Sequence, residues 1–256
     1  MGREYSAWHT GMQPSGRSAH DQTAAFGLDL YHDVIQSIVS ALEARDPHTA
    51  EHSLRVGDMA ERTCALLGIP LHEAMAVHMA AHVHDIGKIG IRDAVLLKRA
   101  RLTEEERALL REHPRIGYEI LSGCPTLYDV ALMVLHHHER WDGKGYPDGL
   151  KGDEIPLSAQ VVSLADVYDA LVSDRVYRKA LSHEKALSMI ANGECGAFNP
   201  QLLESFFAVA DILHEQLYAH PEVQEEEDII KEKPVMSAIK PQEESNLSVR
   251  TLQLLE

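Results

Sequence analysis

Long apolar runs are missing from this chain. The longest, AMAVHMAA and ALMVL, fall well short of the roughly 20 residues that cross a bilayer as a helix, so no membrane span is expected. The opening MGREYSAWHTGMQPSGRSAH lacks the apolar stretch of a secretory signal, and the reading is a cytoplasmic protein. Cysteine is sparse: Cys64, Cys124 and Cys195 are scattered and odd in number. That excludes a disulfide framework or a CxxC metal site and leaves the thiols as small buried side chains. Positive charge is outnumbered, 24 Lys and Arg against 40 Asp and Glu, for a formal net charge of −16. A general polynucleotide binder, which needs a basic face, is excluded. A small anionic ligand is not, because metals, Lys and Arg gathered at one site reverse the local field.

Alternating patterns are also absent, so no sheet is expected, whereas helical spacing runs through most of the chain. A first helix is expected over 28–45 (Leu30, Val34, Ile38, Leu42) and a second from Thr49 to a stop at Gly68. A third follows Pro70 and runs to about Lys88. Thr103 and Glu106 have the spacing of a capping box. Further helices are expected over 125–138, after Pro156 (LSAQVVSLADVYDALVS), after Ser182 and after Pro200. The fold class expected is an all-α bundle in three parts: a flexible lead over 1–26, one domain over 27–220, and an acidic helix with a polar tail over 221–256. That last part reads as mobile, with a docking or dimerisation arm as the sharper alternative.

Sixteen histidines stand out against this background. His84-Asp85 lies near the end of the third expected helix, where adjacent side chains, about 100° apart, can reach one centre. Gly87 permits a close backbone approach and Lys88 returns one turn on. His52, His113, His137, His138 and Asp166 add ligands of the same N/O character, though His52 and His113 taken singly are ordinary structural histidines. Imidazole and carboxylate without thiolate suit Fe, Mn, Ni or Co, and Zn to a lesser degree. Seven such groups could hold two metals with a shared carboxylate. His78 and His82 share the helix of His84, but His82 points about 200° away from it; they read as core or surface residues. His9, His20, His72, His183, His214 and His220 read as solvated.

In this order, His52, HDIGK at 84–88, His113, HHERWDGKGYP at 137–147 and ADVYDALVSDRVYR at 165–178 closely resemble an HD-GYP domain. That is the branch of the HD phosphohydrolase superfamily associated with hydrolysis of cyclic di-GMP. The resemblance implies a helical bundle with a metal centre in its core, with one divalent ion on His52, His84, Asp85 and Asp166. A second would sit on His113, His137 and His138, with Asp85 bridging, which leaves His136 as an extra. Fe or Mn is favoured, with Ni, Co or Zn as alternatives. Some members hold a third metal through a Glu four residues before the His52 position. His48 stands there, so a two-metal centre is expected, with His48 as the ligand of a third ion if there is one.

The mechanism implied is a metal-bridging hydroxide attacking a phosphodiester in line, with Asp85 and Lys88 at the reacting phosphate. Asp169, Arg175 and Arg178 match positions near the ligand's leaving group, phosphates and guanine, although structural ion pairs are an equal reading of the two arginines. Tyr146 supports the loop or lines the pocket. The activity implied is hydrolysis of cyclic di-GMP to pGpG, with further cleavage to GMP as the alternative end point. A receptor that binds the dinucleotide without turnover, or a phosphohydrolase of another nucleotide, are the alternatives; cyclic GMP-AMP is not separated from cyclic di-GMP. Partners compatible with this reading are a second copy and a diguanylate cyclase or sensor. No receiver or sensor pattern precedes residue 27, which suits a stand-alone enzyme or the output half of a longer protein.

Overall fold

The computed structural model describes residues 34–42, 45, 50–174 and 179–218. The lead, His48, Arg175, Arg178 and the acidic segment over 221–256 lie outside these residues. The elements are α1 (34–42), α2 (Ala50–Leu66), α3 (Leu71–Val83), α4 (Asp93–Leu96), α5 (Glu104–Leu110), α6 (His113–Ser122), α7 (Tyr128–His136), α8 (Leu157–Val172), α9 (His183–Ala191) and α10 (Pro200–Tyr218). Short 3₁₀ turns cover Ile86–Gly90, Pro125–Leu127 and Gly152–Glu154. Among the described residues there is no strand, and no helix is long and apolar enough to cross a membrane.

Local chemistry accounts for several boundaries. Gly68, at φ +68°, follows α2 in the left-handed conformation that glycine adopts without penalty. The capping box before α5 is complete: Thr103 Oγ1 accepts from the Glu106 amide, and Glu106 Oε2 accepts from the Thr103 amide. Ser182 Oγ accepts from the Lys185 amide at the start of α9.

Two helices are buried on nearly every side and form the middle of the bundle. In α3, Ala74, Val77, Ala80, Ala81 and Val83 are buried; in α8, Ala159, Val161, Val162, Leu164, Ala165, Tyr168 and Val172 are. α2 packs on both, and α7 closes against α3 and α8 on the other side. The alanines let the helix axes approach, and so bring side chains from four helices to one place. Of the cysteines only Cys64 is buried; Cys124 is exposed and Cys195 half-buried, which corrects the uniform expectation.

The third helix stops five residues short of its expected end. After Val83 the chain leaves the α-helix, and Asp85, at φ −93° and ψ 5°, starts the 3₁₀ turn. Such a turn is tighter than an α-helix, and it redirects the backbone so that Gly87 meets α6. A Cβ on Gly87 would lie 1.8 Å from the His113 carbonyl oxygen. The stop therefore aims His84 and Asp85 inward while α6 rests directly on the turn.

Candidate metal centre

Seven side chains from five helices converge at the ends of α3 and α7. His52 comes from α2, His84 and Asp85 from just past α3, His113 from the first residue of α6, His137 and His138 from just past α7, and Asp166 from α8. Neighbouring imidazoles lie with ring centroids 4.0–5.4 Å apart. His84 and His137 are fully enclosed, at 1% and 0% exposure, while His138 and Asp166 are half-buried and open the cluster outward.

The orientation of each ring is set by its far nitrogen. The Nδ1–H groups of His84, His113 and His137 donate to the carbonyls of Ala81, Leu110 and Val134, at 2.7, 2.8 and 2.6 Å. Each acceptor lies three residues earlier in sequence, so the turn that carries the histidine also fixes its tautomer. The Nε2 lone pairs are left pointing inward. His52 differs: its Nδ1 meets Asp169 Oδ2 at 2.6 Å.

The inward atoms stand about one coordination edge apart. His84 Nε2 faces Asp85 Oδ2 at 3.3 Å, His113 Nε2 faces Asp85 Oδ1 at 3.3 Å, and His52 Nε2 faces Asp166 Oδ1 at 3.3 Å. His113 and His137 Nε2 are 3.4 Å apart, a poor hydrogen bond between two lone pairs. About 3.3 Å is the separation of two donors bound near 2.1 Å from one ion at a near-tetrahedral angle. One ligand atom each from His113, His137 and His138 lies within 4.8 Å of the others, and the same holds for His52, His84 and Asp85. The two groups can each hold a metal ion, and Asp85, with one oxygen toward His84 and the other toward His113, joins them.

Charge separates the two groups. Burial and the surrounding imidazoles push His137 well down and His138 to about 3; burial likewise lowers His113 against the pull of Asp85. All three are neutral at pH 7. Burial also disfavours a charged His52, but hydrogen bonds and charge from Asp166 and Asp169 outweigh it and raise the imidazole from 6.5 to about 9. Burial opposes ionisation of Asp85, yet Lys88, His84 and His113 hold its carboxyl well below the usual carboxylate range.

Three expectations need correction. Asp169 does not face the pocket: at 1% exposure it accepts from His52 and from Arg55 Nε, both at 2.6 Å. It therefore holds the His52 ring in place and has no surface left for a substrate. Lys88 does not stand one α-turn beyond His84; across the 3₁₀ turn its Nζ reaches Asp85 Oδ2 at 2.5 Å. His183 and His214 are not solvated. Their Nδ1 atoms meet the hydroxyl of the buried Tyr168 at 2.7 and 2.9 Å, and their rings stack at 4.4 Å. His136 turns away from the cluster to Asp148, 3.2 Å from Nε2, and His78 and His82 pair with each other at 2.9 Å.

The Gly-rich loop folds back over the second group. Tyr146 N donates to the His138 carbonyl at 3.2 Å, and the Tyr146 ring stacks on the His138 ring at 4.8 Å. Gly145 permits this, because a Cβ there would lie 2.4 Å from the backbone of Glu139 and Arg140. The Tyr146–Pro147 bond is cis. Glu139 Oε1 accepts from the Asp148 and Gly149 amides at 2.7 and 3.0 Å and ties down the loop's far end. Arg55 and Glu139 were missed in the sequence because their partners are set by the fold; Arg55 lies 114 residues from Asp169.

Comparison with known proteins shows the family. An HD domain family model matches residues 36–202. The cyclic di-GMP phosphodiesterase response regulator RpfG of Xanthomonas campestris is 42% identical over 175 residues, which are 68% of this chain and 46% of that protein. The 3'3'-cGAMP-specific phosphodiesterase 2 of Vibrio cholerae is 36% identical over 174 residues, 67% of this chain and 33% of that one. The chain thus spans less than half the length of these relatives. Among solved structures, Bd1817, a HDG"Y"P protein from Bdellovibrio bacteriovorus, is similar in fold, with a TM-score of 0.53 at 20% identity over 75% of this chain and 64% of that one. With a family match across most of the helical bundle, and the motif order of the HD-GYP branch within it, the chain belongs to the HD domain family.

Proposed function

We propose that residues 27–220 form a cytoplasmic, metal-dependent cyclic dinucleotide phosphodiesterase that hydrolyses cyclic di-GMP to pGpG, with GMP as the alternative end product. The observation that carries this reading is Asp85, which presents one oxygen to each of two groups of inward-facing ligand atoms. The names of the relatives support a cyclic dinucleotide as substrate. In this reading His52, His84, Asp85 and Asp166 hold one divalent ion, and His113, His137, His138 and Asp85 hold the other, with Fe or Mn favoured for the N/O donor set. Ions held by these residues would supply Lewis acidity toward the phosphate and lower the pKa of a bound water. Lys88 lies beside Asp85 and adds a positive charge where the phosphate oxygens gather charge. Asp169 and Arg55 keep the His52 ring in register, and Tyr146 excludes water from the outer face of His138.

The test is product analysis on cyclic di-GMP and 3'3'-cGAMP, using protein purified anaerobically and loaded in turn with Mn, Fe, Ni, Co and Zn. Release of pGpG or GMP is expected with Mn or Fe. Tight binding without turnover across the whole metal series rejects the enzyme reading in favour of a receptor.

Metal loading is also expected to release protons. His52, raised to about 9, is protonated at pH 7, and it must be neutral to ligate. His113, His137 and His138 are already neutral and contribute none. Calorimetry in buffers of different ionisation enthalpy should detect release of at least about one proton on loading at pH 7, falling away above pH 9. No release at pH 7 contradicts the His52 assignment. In metal-free protein the same raised pKa stabilises the fold fully below 6.5 and is lost as pH rises through about 9.

A further inference from the structure

Arg111 stands at the end of α5, two residues before His113, with its side chain exposed. Its guanidinium carbon lies 5.3 Å from the centroid of the Tyr146 ring, the ring that stacks on His138. An exposed cation is thereby held against the aromatic cover of the second ligand group. The arginines one turn to either side are both engaged: Arg107 pairs with Glu104 at 3.0 Å and Arg115 with Asp148 at 3.0 Å. Among the described residues Arg111 has no ion pair and no side-chain hydrogen bond, and its fixed contact is the face of Tyr146.

That placement has an electrostatic reason. The chain carries a formal net charge of −16, and Asp85, Asp166 and Asp169 concentrate negative charge at the cluster. The pull is felt at the Tyr146 phenol, which burial and Asp85 push up while Arg111 acts in the opposite direction. Arg111 therefore lies close enough to that pocket wall to act on a group inside it. A guanidinium carbon 5.3 Å over the ring centroid is a cation–π contact, which uses none of the N–H donors as a conventional hydrogen bond; two of those donors match two oxygens of a phosphate. Ordering by the ring lowers the entropy lost when those donors bind.

A cyclic dinucleotide carries two phosphodiesters. Resting on the proposed function, one of them is cleaved between the two ligand groups and Lys88, and the other needs a cation beyond them; Arg111 stands over Tyr146, the ring that stacks on His138. We infer that Arg111 binds the phosphodiester that is not being cleaved. It is thus a substrate-binding residue that sets KM and favours cyclic dinucleotides over simple diesters.

The test uses the metal-loaded protein with Arg111→Ala and Arg111→Lys. Removing one charge-assisted contact at an exposed edge is expected to raise KM for cyclic di-GMP about tenfold, with kcat changed far less. Lys, a point charge without the fork, should restore part of the loss. The slope of log(kcat/KM) against log salt should become shallower. Bis(p-nitrophenyl) phosphate, which has a single diester, should lose much less than cyclic di-GMP. An unchanged KM for cyclic di-GMP overturns the inference. So does a parallel loss on both substrates, which would make Arg111 a support for Tyr146 only. Affinity for cyclic di-GMP measured by calorimetry on wild type and Arg111→Ala decides the point even if wild type shows no turnover, so failure of the phosphodiesterase reading and failure of this inference give different results.

Discussion

Replacing Asp85 by Ala is expected to lower turnover of cyclic di-GMP by about 10³-fold or more and to reduce the bound metal below two ions per chain. Its two oxygens face Nε2 of different histidines, each at 3.3 Å, so no single imidazole replaces what is lost. Removing the carboxylate also takes away the oxygen that Lys88 reaches at 2.5 Å, so one negative charge is lost beside two metal-binding groups. The substitution therefore weakens both ions and turns the local field against them. Side-chain volume falls only slightly in a pocket that is open at His138 and Asp166, so the fold should survive, as circular dichroism would verify. Metal quantification beside kcat separates causes. If the variant keeps two ions and wild-type kcat, the shared-carboxylate reading is wrong. Asp85→Asn tests charge alone: it keeps the shape and one acceptor oxygen, and should lose activity nearly as fully.

Much of the site could be read in the sequence because its residues sit in short local patterns. His84-Asp85, His137-His138 and Asp166 occur at helix ends or within helical periodicity, and the fold brings them together as the motif order implies. The three Nδ1 bonds to carbonyls at i−3 are local too, so each histidine carries its own orienting group. What escaped prediction depends on contacts across the fold. Asp169 is three residues from Asp166 on α8, and helical spacing alone puts both on neighbouring faces. Only the packing of α2 decides that Asp169 turns to His52 and Arg55 while Asp166 turns inward. The hydroxyl of Tyr168 binds His183 and His214 on α9 and α10, and no local pattern marks those histidines as anything but surface residues. The early end of α3 was hidden for another reason: His84-Asp85-Ile86 has no helix breaker, and the 3₁₀ turn follows from the requirement that Gly87 touch α6.

That contact is the place where one added methyl group should do the most damage. A Cβ on Gly87 would sit 1.8 Å from the His113 oxygen, 2.8 Å from the His113 carbonyl carbon and 2.6 Å from the Gly117 amide nitrogen. All three are backbone atoms, so no rotamer change relieves the overlap. Gly117 is itself pressed on the other side, where a Cβ would lie 2.8 Å from Val134 Cγ1 on α7, and α6 cannot retreat without disturbing α7. Gly87→Ala must therefore push α6 off the turn, at a cost near the upper end for overpacked cores, about 3 kcal/mol. For a domain of this size that corresponds to a Tm lower by roughly 6–12 °C. Because His113 is the first residue of α6, the same displacement pulls its Nε2 away from Asp85 and His137, and the second metal should be lost before the first. Gly68→Ala is the control: Gly68 has φ +68° but nothing within 4 Å of an added Cβ. It pays only backbone strain, about 1–2 kcal/mol, and should leave metal content unchanged. Scanning calorimetry with metal analysis on both variants distinguishes collision from strain, and a Gly87→Ala protein with the Tm and metal content of wild type would show that α6 does not depend on this contact.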